Sequence, residues 1–106
     1  MLSKEDLRRT VSAIVDVAHP SKVILFGSYA RNEADEGSDL DLLVIEPKEI
    51  DRGMEMVKIR RAIGDIGVGV DVLVYSEDYL KEWGHLRGSV LYWALKEGKL
   101  LYEKPH

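Results

Sequence analysis

The sequence predicts an α/β (α+β) fold, in which a small mixed β-sheet is flanked by helices. Apolar, strand-like segments alternate along the chain with segments whose apolar residues recur at helical spacing. A chain that alternates the two kinds of element packs as layers, with helices against a sheet. The length of 106 residues is typical of one domain, and we assign residues 1–106 to it.

The first part of the chain predicts one helix and two strands. Ser3 with Asp6 three residues later resembles a capping box, and the helix that begins there should end before Pro20. A wholly apolar segment, a glycine and a polar loop come next, followed by a second apolar segment. The predicted elements after the first helix are a strand over Val23–Phe26, a helical turn from Ser28 to about Glu33, and a strand over Leu40–Ile45.

The second part of the chain predicts three helices and two strands. Ser76 and Ser89 are each typical N-cap residues, and Gly98 is typical of a helix end. The predicted elements are helices over Ile50–Ile66, from Ser76 to about Trp83 and over Val90–Glu97, strands over Val70–Tyr75 and Leu100–Tyr102, and a frayed tail at Lys104–His106.

Composition and charge exclude several classes of site. The chain has no Cys, so disulfides, thiolate zinc sites and cysteine nucleophiles are excluded. Its net charge of −4 argues against broad binding to nucleic acid, and we expect no direct contact with it. No apolar run approaches the roughly 20 residues that span a membrane. The first residues lack the apolar core of a signal peptide, so a cytoplasmic location without membrane contact is predicted.

Two acids one residue apart, at the start of the second predicted strand, are the first candidate site residues. Asp39 and Asp41 should point to one face, because side chains at i and i+2 of a strand do so. Adjacent carboxylates repel, and a divalent cation removes that conflict; oxygen-only ligands favour Mg²⁺. The alternative is an edge strand with a polar solvent face, which explains one acid better than two. We therefore predict that Asp39 and Asp41 bind metal.

A third acid, Asp71, lies near the start of the third predicted strand. Taken alone, it is more simply a solvent-facing strand residue. If the third strand lies beside the second, Asp71 joins the pair, and three carboxylates can then hold two Mg²⁺ ions. Asp71 is also the natural candidate to take the proton from an attacking hydroxyl.

The Gly27-Ser28 pair after the first apolar strand predicts a phosphate-binding turn. Gly27 allows close backbone approach to phosphates, and Ser28 offers a hydroxyl and a backbone N–H to the β- or γ-phosphate. The alternative is a plain turn with an N-cap. Because metal-binding acids would lie next to this turn, the pattern favours phosphoryl or nucleotidyl transfer.

Basic residues give a weaker signal. Arg31 is equally a solvated helix charge or a contact to nucleotide or partner. Three further basic residues lie either on an exposed helix face or along the nucleotide cleft: Lys58, Arg60 and Arg61.

These motifs together resemble the signature of the polymerase-β-type nucleotidyltransferase superfamily. The Gly27-Ser28 pair, ten intervening residues and then Asp39-x-Asp41 match it, and Asp71 matches the family's third catalytic acid. The run GSYARNEADEGSDLDLLV is most similar to the minimal nucleotidyltransferases of bacteria and archaea, and the segment EGKLLYE resembles the usual end of that family. The resemblance therefore covers nearly the whole chain.

The resemblance implies a polymerase-β-like nucleotidyltransferase fold with Mg²⁺ and ATP as ligands. It implies that Asp39 and Asp41 bind the metal ions, that Asp71 completes the metal and catalytic site, and that Gly27 and Ser28 hold the triphosphate. It also implies that the chain is the antitoxin partner of a HEPN-domain toxin, a helical ribonuclease, and silences it by transferring AMP from ATP to a toxin tyrosine.

One position departs from the family pattern, and two other functions stay open. Asn32 stands where the family usually has Gly, but Asn tolerates a left-handed backbone, so the turn should survive. The first alternative is a non-catalytic antitoxin that covers its toxin with apolar residues near Tyr92 and Trp93. The second is a small-molecule nucleotidyltransferase subunit that acts with a separate substrate-binding protein.

Overall fold

The chain forms a four-stranded mixed sheet with helices on both faces, which confirms the predicted fold class. A computed structural model describes residues 2–105. The elements in chain order are α1 Lys4–Ala18, β1 Lys22–Phe26, α2 Gly27–Ala30, β2 Leu40–Glu46, α3 Arg52–Ile63, β3 Val70–Ser76, α4 Glu77–Trp83, α5 Val90–Glu97 and β4 Lys99–Glu103.

The strand order across the sheet is β3-β2-β1-β4. β1 runs antiparallel to both of its neighbours, whereas β2 and β3 run parallel. Parallel strands cannot be joined by a short hairpin, and α3 provides the crossover between β2 and β3. As a result, β2 and β3 begin at the same end of the sheet, where β1 ends.

Side chains of the two parallel strands alternate between two apolar layers. Leu42 and Val44 pack with Ile14 of α1 and Ile59 of α3, whereas Leu43 packs on the opposite face. The core of that second face contains Ile24, Leu43, Ile45, Leu91 and Ala94, the last two from α5. Odd-numbered residues of β2 therefore face α5. None of the helices in residues 2–105 is long and apolar enough to cross a membrane.

The predicted starts of α1, α4 and α5 are confirmed. The Ser3 side chain accepts a hydrogen bond from the backbone N–H of Asp6, and the Asp6 carboxylate accepts one from the backbone N–H of Ser3. Ser76 and Ser89 cap α4 and α5 in the same way, each with its hydroxyl oxygen accepting from a backbone N–H three residues later. Side-chain oxygens thus satisfy N–H groups that have no partner within the helix.

The predicted helix over Ile50–Ile66 is too long at both ends. Asp51 accepts a hydrogen bond from the Met54 N–H at 3.2 Å, so this residue caps the helix and cannot lie inside it. At the other end Gly64 adopts φ +67°, a left-handed backbone that stops the helix after Ile63.

The helical turn after β1 also differs from the prediction. It begins at Gly27 and ends at Ala30, three residues before Glu33. Asn32 takes φ +57°, which a right-handed helix excludes, so the left-handed backbone expected for Asn32 is present.

The C-terminal tail is tied down further than predicted. The Lys104 N–H donates to the Ser21 carbonyl at 2.8 Å, so the backbone is held beyond the end of β4. The predicted fraying of His106 lies outside the described residues.

Two arginines of α3 cover the outer edge of β3. The Gly69 carbonyl accepts from the Leu40 N–H, so the carbonyls of Val70 and Val74 point the other way, off the sheet. Arg60 Nη2 donates to the Val70 carbonyl at 2.7 Å, and Arg52 Nε donates to the Val74 carbonyl at 2.8 Å. These bonds satisfy polar groups that an edge strand otherwise leaves open.

Candidate active site

The parallel pairing of β2 with β3 places Asp41 directly beside Asp71. Paired residues of parallel strands project from the same face, which here is the face that α5 covers further along the sheet. Asp39 is exposed and lies one residue before β2, where Leu40 is hydrogen-bonded to Gly69. The structure therefore brings the three predicted acids together at the end of the sheet where β2 and β3 begin.

The neighbouring acids disfavour ionisation of Asp41. Burial raises the pKa of Asp41, and the negative charges of Asp71 and Asp39 raise it further. The charge of Arg31 opposes this shift only in part. The negative charge of the three acids is therefore not fully compensated by neighbouring residues. A bound cation would compensate it.

The chemistry of these donors fits a hard divalent cation. All three offer carboxylate oxygens, which Mg²⁺ prefers. Within residues 2–105 no three acids or histidines are drawn together closely enough to form a ready metal cage. Asp39 and Asp71 are exposed, however, so their side chains can rotate toward a cation beside Asp41.

The glycine turn packs against Asp41. Gly27 adopts φ +74°, and a Cβ built on it would overlap Asp41 Oδ2. Phe26 occupies the N-cap position of α2 and contributes no side-chain cap, so the first N–H groups of this turn receive none. The half-buried Ser28 follows. Gly27 and the most buried of the three acids are therefore in contact.

A second glycine supports Asp39 in a similar way, and sequence reasoning missed it. A Cβ built on Gly69 would overlap Asp39 Oδ1. Gly67 and Gly69 follow a helix, where glycines ordinarily indicate only the end of that helix. The usable signal was the position of Gly69 directly before the strand that carries Asp71.

Arg31 lies at the rim of a cleft between α2 and α5. Its Nε is 3.2 Å from Glu33 Oε2, so its charge is partly paired. The cleft has a volume of about 170 Å³ and is lined by Gly27, Arg31 and Trp93, among others. Trp93 is 48% exposed, so it lies at the surface rather than in the core.

The three basic residues of α3 have different surroundings. Lys58 Nζ is 2.7 Å from Glu55 Oε1. This pair lies near the end of β2, whereas the candidate site lies where β2 begins. Arg61 lines a surface depression with Met54 and Val57. Arg60 Nη2 is 3.8 Å from Asp71 Oδ1. Of these three residues, Arg60 is the one that the structure brings to the predicted acids.

A separate pair of acids is buried where β2 ends. Glu46 is 6% exposed, and the Oε2 atoms of Glu46 and Glu55 are both buried without another hydrogen-bond donor among the described residues. Burial and a hydrogen bond to Glu55 raise the pKa of Glu46 to about 8. Burial alone would raise the pKa of Glu55, but hydrogen bonds from Glu46 and Lys58 lower it overall. A hydrogen bond from the protonated Glu46 carboxyl to Glu55 accounts for the opposite directions of the two shifts.

Replacing Glu46 with Gln should abolish a pH dependence of stability. Between pH 4.5 and about 8 the folded chain keeps the Glu46 proton, whereas the unfolded chain loses it, so the free energy of unfolding falls as the pH rises. Gln mimics the protonated acid. We expect Glu46→Gln to match the unsubstituted chain near pH 5 and to exceed it by about 1–3 kcal/mol near pH 9, measured by urea unfolding. Equal slopes against pH in both proteins would contradict this, and Glu36→Gln in an exposed loop is the control.

Comparison with protein families finds one match across nearly the whole chain. The family model described as "Nucleotidyltransferase domain" matches residues 4–104. A protein of Methanocaldococcus jannaschii named "Putative protein adenylyltransferase" is 32% identical over 84 residues, which cover 76% of this chain and 77% of that protein. A second protein of that organism with the same description is 35% identical over 72 residues, covering 67% of this chain and 76% of its own length.

Two solved structures share the fold. One is described as a "putative nucleotidyltransferase" from Sulfolobus solfataricus, with a TM-score of 0.61, 20% identity, and coverage of 94% of this chain and 79% of that chain. The other is a toxin–antitoxin crystal structure with AMP-PNP, with a TM-score of 0.60, 19% identity, and coverage of 92% of this chain and 73% of that chain.

Proposed function

Because this chain belongs to the nucleotidyltransferase domain family, we propose that it transfers AMP from ATP to a tyrosine of a partner protein, and that this partner is a HEPN-type toxin. Two relatives carry the name of protein adenylyltransferases, and one structural neighbour is a toxin–antitoxin complex with AMP-PNP. The observation that carries the proposal is the pairing of Asp41 with Asp71 beside the Gly27 turn.

The three acids and the glycine turn have distinct roles in this proposal. Asp39, Asp41 and Asp71 hold Mg²⁺, which when bound neutralises the triphosphate charge and stabilises the leaving group. Gly27 and Ser28 hold the β- and γ-phosphates through backbone N–H groups and the Ser28 hydroxyl.

The transfer itself is a substitution at the α-phosphorus. The acceptor tyrosine oxygen forms a bond to this phosphorus, the bond to the β-phosphate oxygen breaks, and pyrophosphate leaves. Asp71 accepts the proton that the tyrosine hydroxyl gives up. The protein contributes mainly positioning and charge neutralisation, as in phosphoryl transfer generally.

The strand order supports one direction for the proposed reaction. The turn that holds the leaving pyrophosphate follows β1, Asp41 is on β2, and Asp71 is on β3 at the sheet edge. Attacking and leaving oxygens lie roughly in line in such transfers. The acceptor hydroxyl therefore enters from the side of β3, opposite Gly27.

The position of the label in ATP tests the proposed reaction. The chain is incubated with Mg²⁺ and a co-expressed partner, using ATP labelled at either the α- or the γ-phosphate. We expect α-label on the partner protein, γ-label in released pyrophosphate, and an AMP adduct on a tyrosine by mass spectrometry. Label on the partner from γ-labelled ATP would indicate a kinase instead. AMP found only on a small molecule would support the subunit alternative.

Surface exposure favours the second candidate function, a non-catalytic antitoxin. Val90 is 59% exposed and Trp93 48% exposed on neighbouring turns of α5, which leaves apolar area open to a protein partner. Inhibition of the toxin by simple covering requires neither ATP nor Mg²⁺. Inhibition that disappears when either is omitted excludes this function.

A further inference from the structure

Arg60 is held in a fixed place beside the third acid. It lies on α3, and its Nη2 donates to the Val70 carbonyl at 2.7 Å. The same atom is 3.8 Å from Oδ1 of Asp71, the next residue of β3. A guanidinium is charged at every accessible pH, and several donors in one plane let it bond a carbonyl and face a carboxylate together.

This contact is poorly suited to stabilising the fold. The Arg60 side chain is 54% exposed and that of Asp71 is 61% exposed. Ion pairs at such exposure contribute about 0–1 kcal/mol to stability. Besides its hydrogen bond to the edge of β3, the contact of Arg60 with Asp71 can therefore act mainly by placing the carboxylate.

Asp71 needs such an anchor because of its position. β3 is an edge strand, so no strand packs beside Asp71 on its outer side. On its inner side it pairs with Asp41, and two carboxylates side by side repel each other when both are ionised. An exposed carboxylate under repulsion would spread over several rotamers.

We propose that Arg60 is a positioning residue, which holds the Asp71 carboxylate at the side of the site where the acceptor hydroxyl enters. This inference rests on the proposed function. Arg60 does not contact the phosphates in this scheme. It fixes the group that takes the acceptor's proton, and so acts on the chemical step more than on ATP binding.

The chain supplies two matched controls. Arg52 also donates to an outward carbonyl of β3, that of Val74, without reaching an acid of the site. Arg61 is adjacent in sequence and faces away, into the depression with Val57. Arg52→Ala tests the loss of an edge hydrogen bond, and Arg61→Ala tests the loss of a positive charge on α3.

Steady-state kinetics with ATP and the partner protein test the inference. We expect Arg60→Ala to lower kcat about 10-fold and to leave the KM for ATP within about twofold, as expected for a group that acts only on the chemical step. Arg60→Lys should recover part of this loss, because an ammonium keeps the charge but lacks the planar set of N–H donors of a guanidinium. Arg52→Ala and Arg61→Ala should keep kcat.

Mn²⁺ binding without nucleotide gives a second measurement, which does not depend on activity. Arg60 competes with a cation for Asp71, so Arg60→Ala should bind Mn²⁺ about two- to fivefold more tightly. The same substitution in an Asp71→Asn background should change nothing, since the partner charge is then absent.

Two results would overturn the inference. One is a kcat for Arg60→Ala no lower than those of Arg52→Ala and Arg61→Ala. The other is unchanged or weaker Mn²⁺ binding in Arg60→Ala. If the unsubstituted chain transfers no AMP, the proposed function fails, and the Mn²⁺ titration still decides whether Arg60 acts on Asp71.

Discussion

Replacing Asp41 with Asn is expected to abolish AMP transfer, with a loss on the order of 1,000-fold or more in rate. Asn keeps the shape of the side chain and removes its charge. Asp41 is the acid that contacts the glycine turn and pairs with Asp71, so its charge lies between the proposed phosphate and acceptor positions. Transfer from α-labelled ATP, with Asp16→Asn on the exposed face of α1 as control, measures the effect.

The same substitution should leave the fold intact and slightly more stable without metal. Burial and two neighbouring negative charges raise the pKa of Asp41, so ionising this carboxyl is less favourable in the folded chain than in the unfolded one. Thermal unfolding should show a small rise in Tm for Asp41→Asn without divalent cation. Added Mg²⁺ should raise the Tm of the unsubstituted chain more than that of the variant. Retained transfer by Asp41→Asn would refute the metal-binding role.

Replacing Gly27 with Ala is expected to lower AMP transfer about 100-fold and to destabilise the fold by about 1–2 kcal/mol. The stability loss follows from φ +74°, which an L side chain rarely adopts. The activity loss has a separate cause, because the new methyl group would displace the Asp41 carboxylate that now fills its space.

Gly64→Ala separates these two causes. Gly64 has a similar φ of +67°, but a Cβ built there has no heavy atom within 4 Å. It should therefore lose comparable stability by urea unfolding and keep full transfer. Equal transfer by Gly27→Ala and Gly64→Ala would show that the packing of the turn against Asp41 does not matter for the reaction.

Local sequence signals predicted the elements well, because short-range chemistry decides them. Ser3 with Asp6, Ser76 and Ser89 mark helix starts through side-chain hydrogen bonds within three residues. Helix ends were predicted too late where backbone angle decides the boundary. The positive φ of Gly64 and Asn32 ended helices earlier than the apolar pattern indicated.

The candidate site depended on one step that a sequence pattern does not determine. The spacing of Asp39 and Asp41 is local, whereas the pairing of Asp41 with Asp71 requires that β3 lie beside β2 in this register. The sequence placed Arg60 only among three basic residues with two open interpretations, and it gave no signal for the pairing of Glu46 with Glu55. Arg60 meets Asp71 from another element, and the buried pair of Glu46 and Glu55 joins a strand to a helix.

The two arginines that bond to the outer edge of β3 should also affect the tendency of this protein to aggregate at high concentration. A stray extended peptide that aligned along β3 would find the carbonyls of Val70 and Val74 already occupied by Arg60 and Arg52. The peptide would have to displace these two arginine side chains before it could form backbone hydrogen bonds along the strand. The chain thereby carries a built-in barrier to fibril-like growth from this side, and Arg60→Ala would remove half of it.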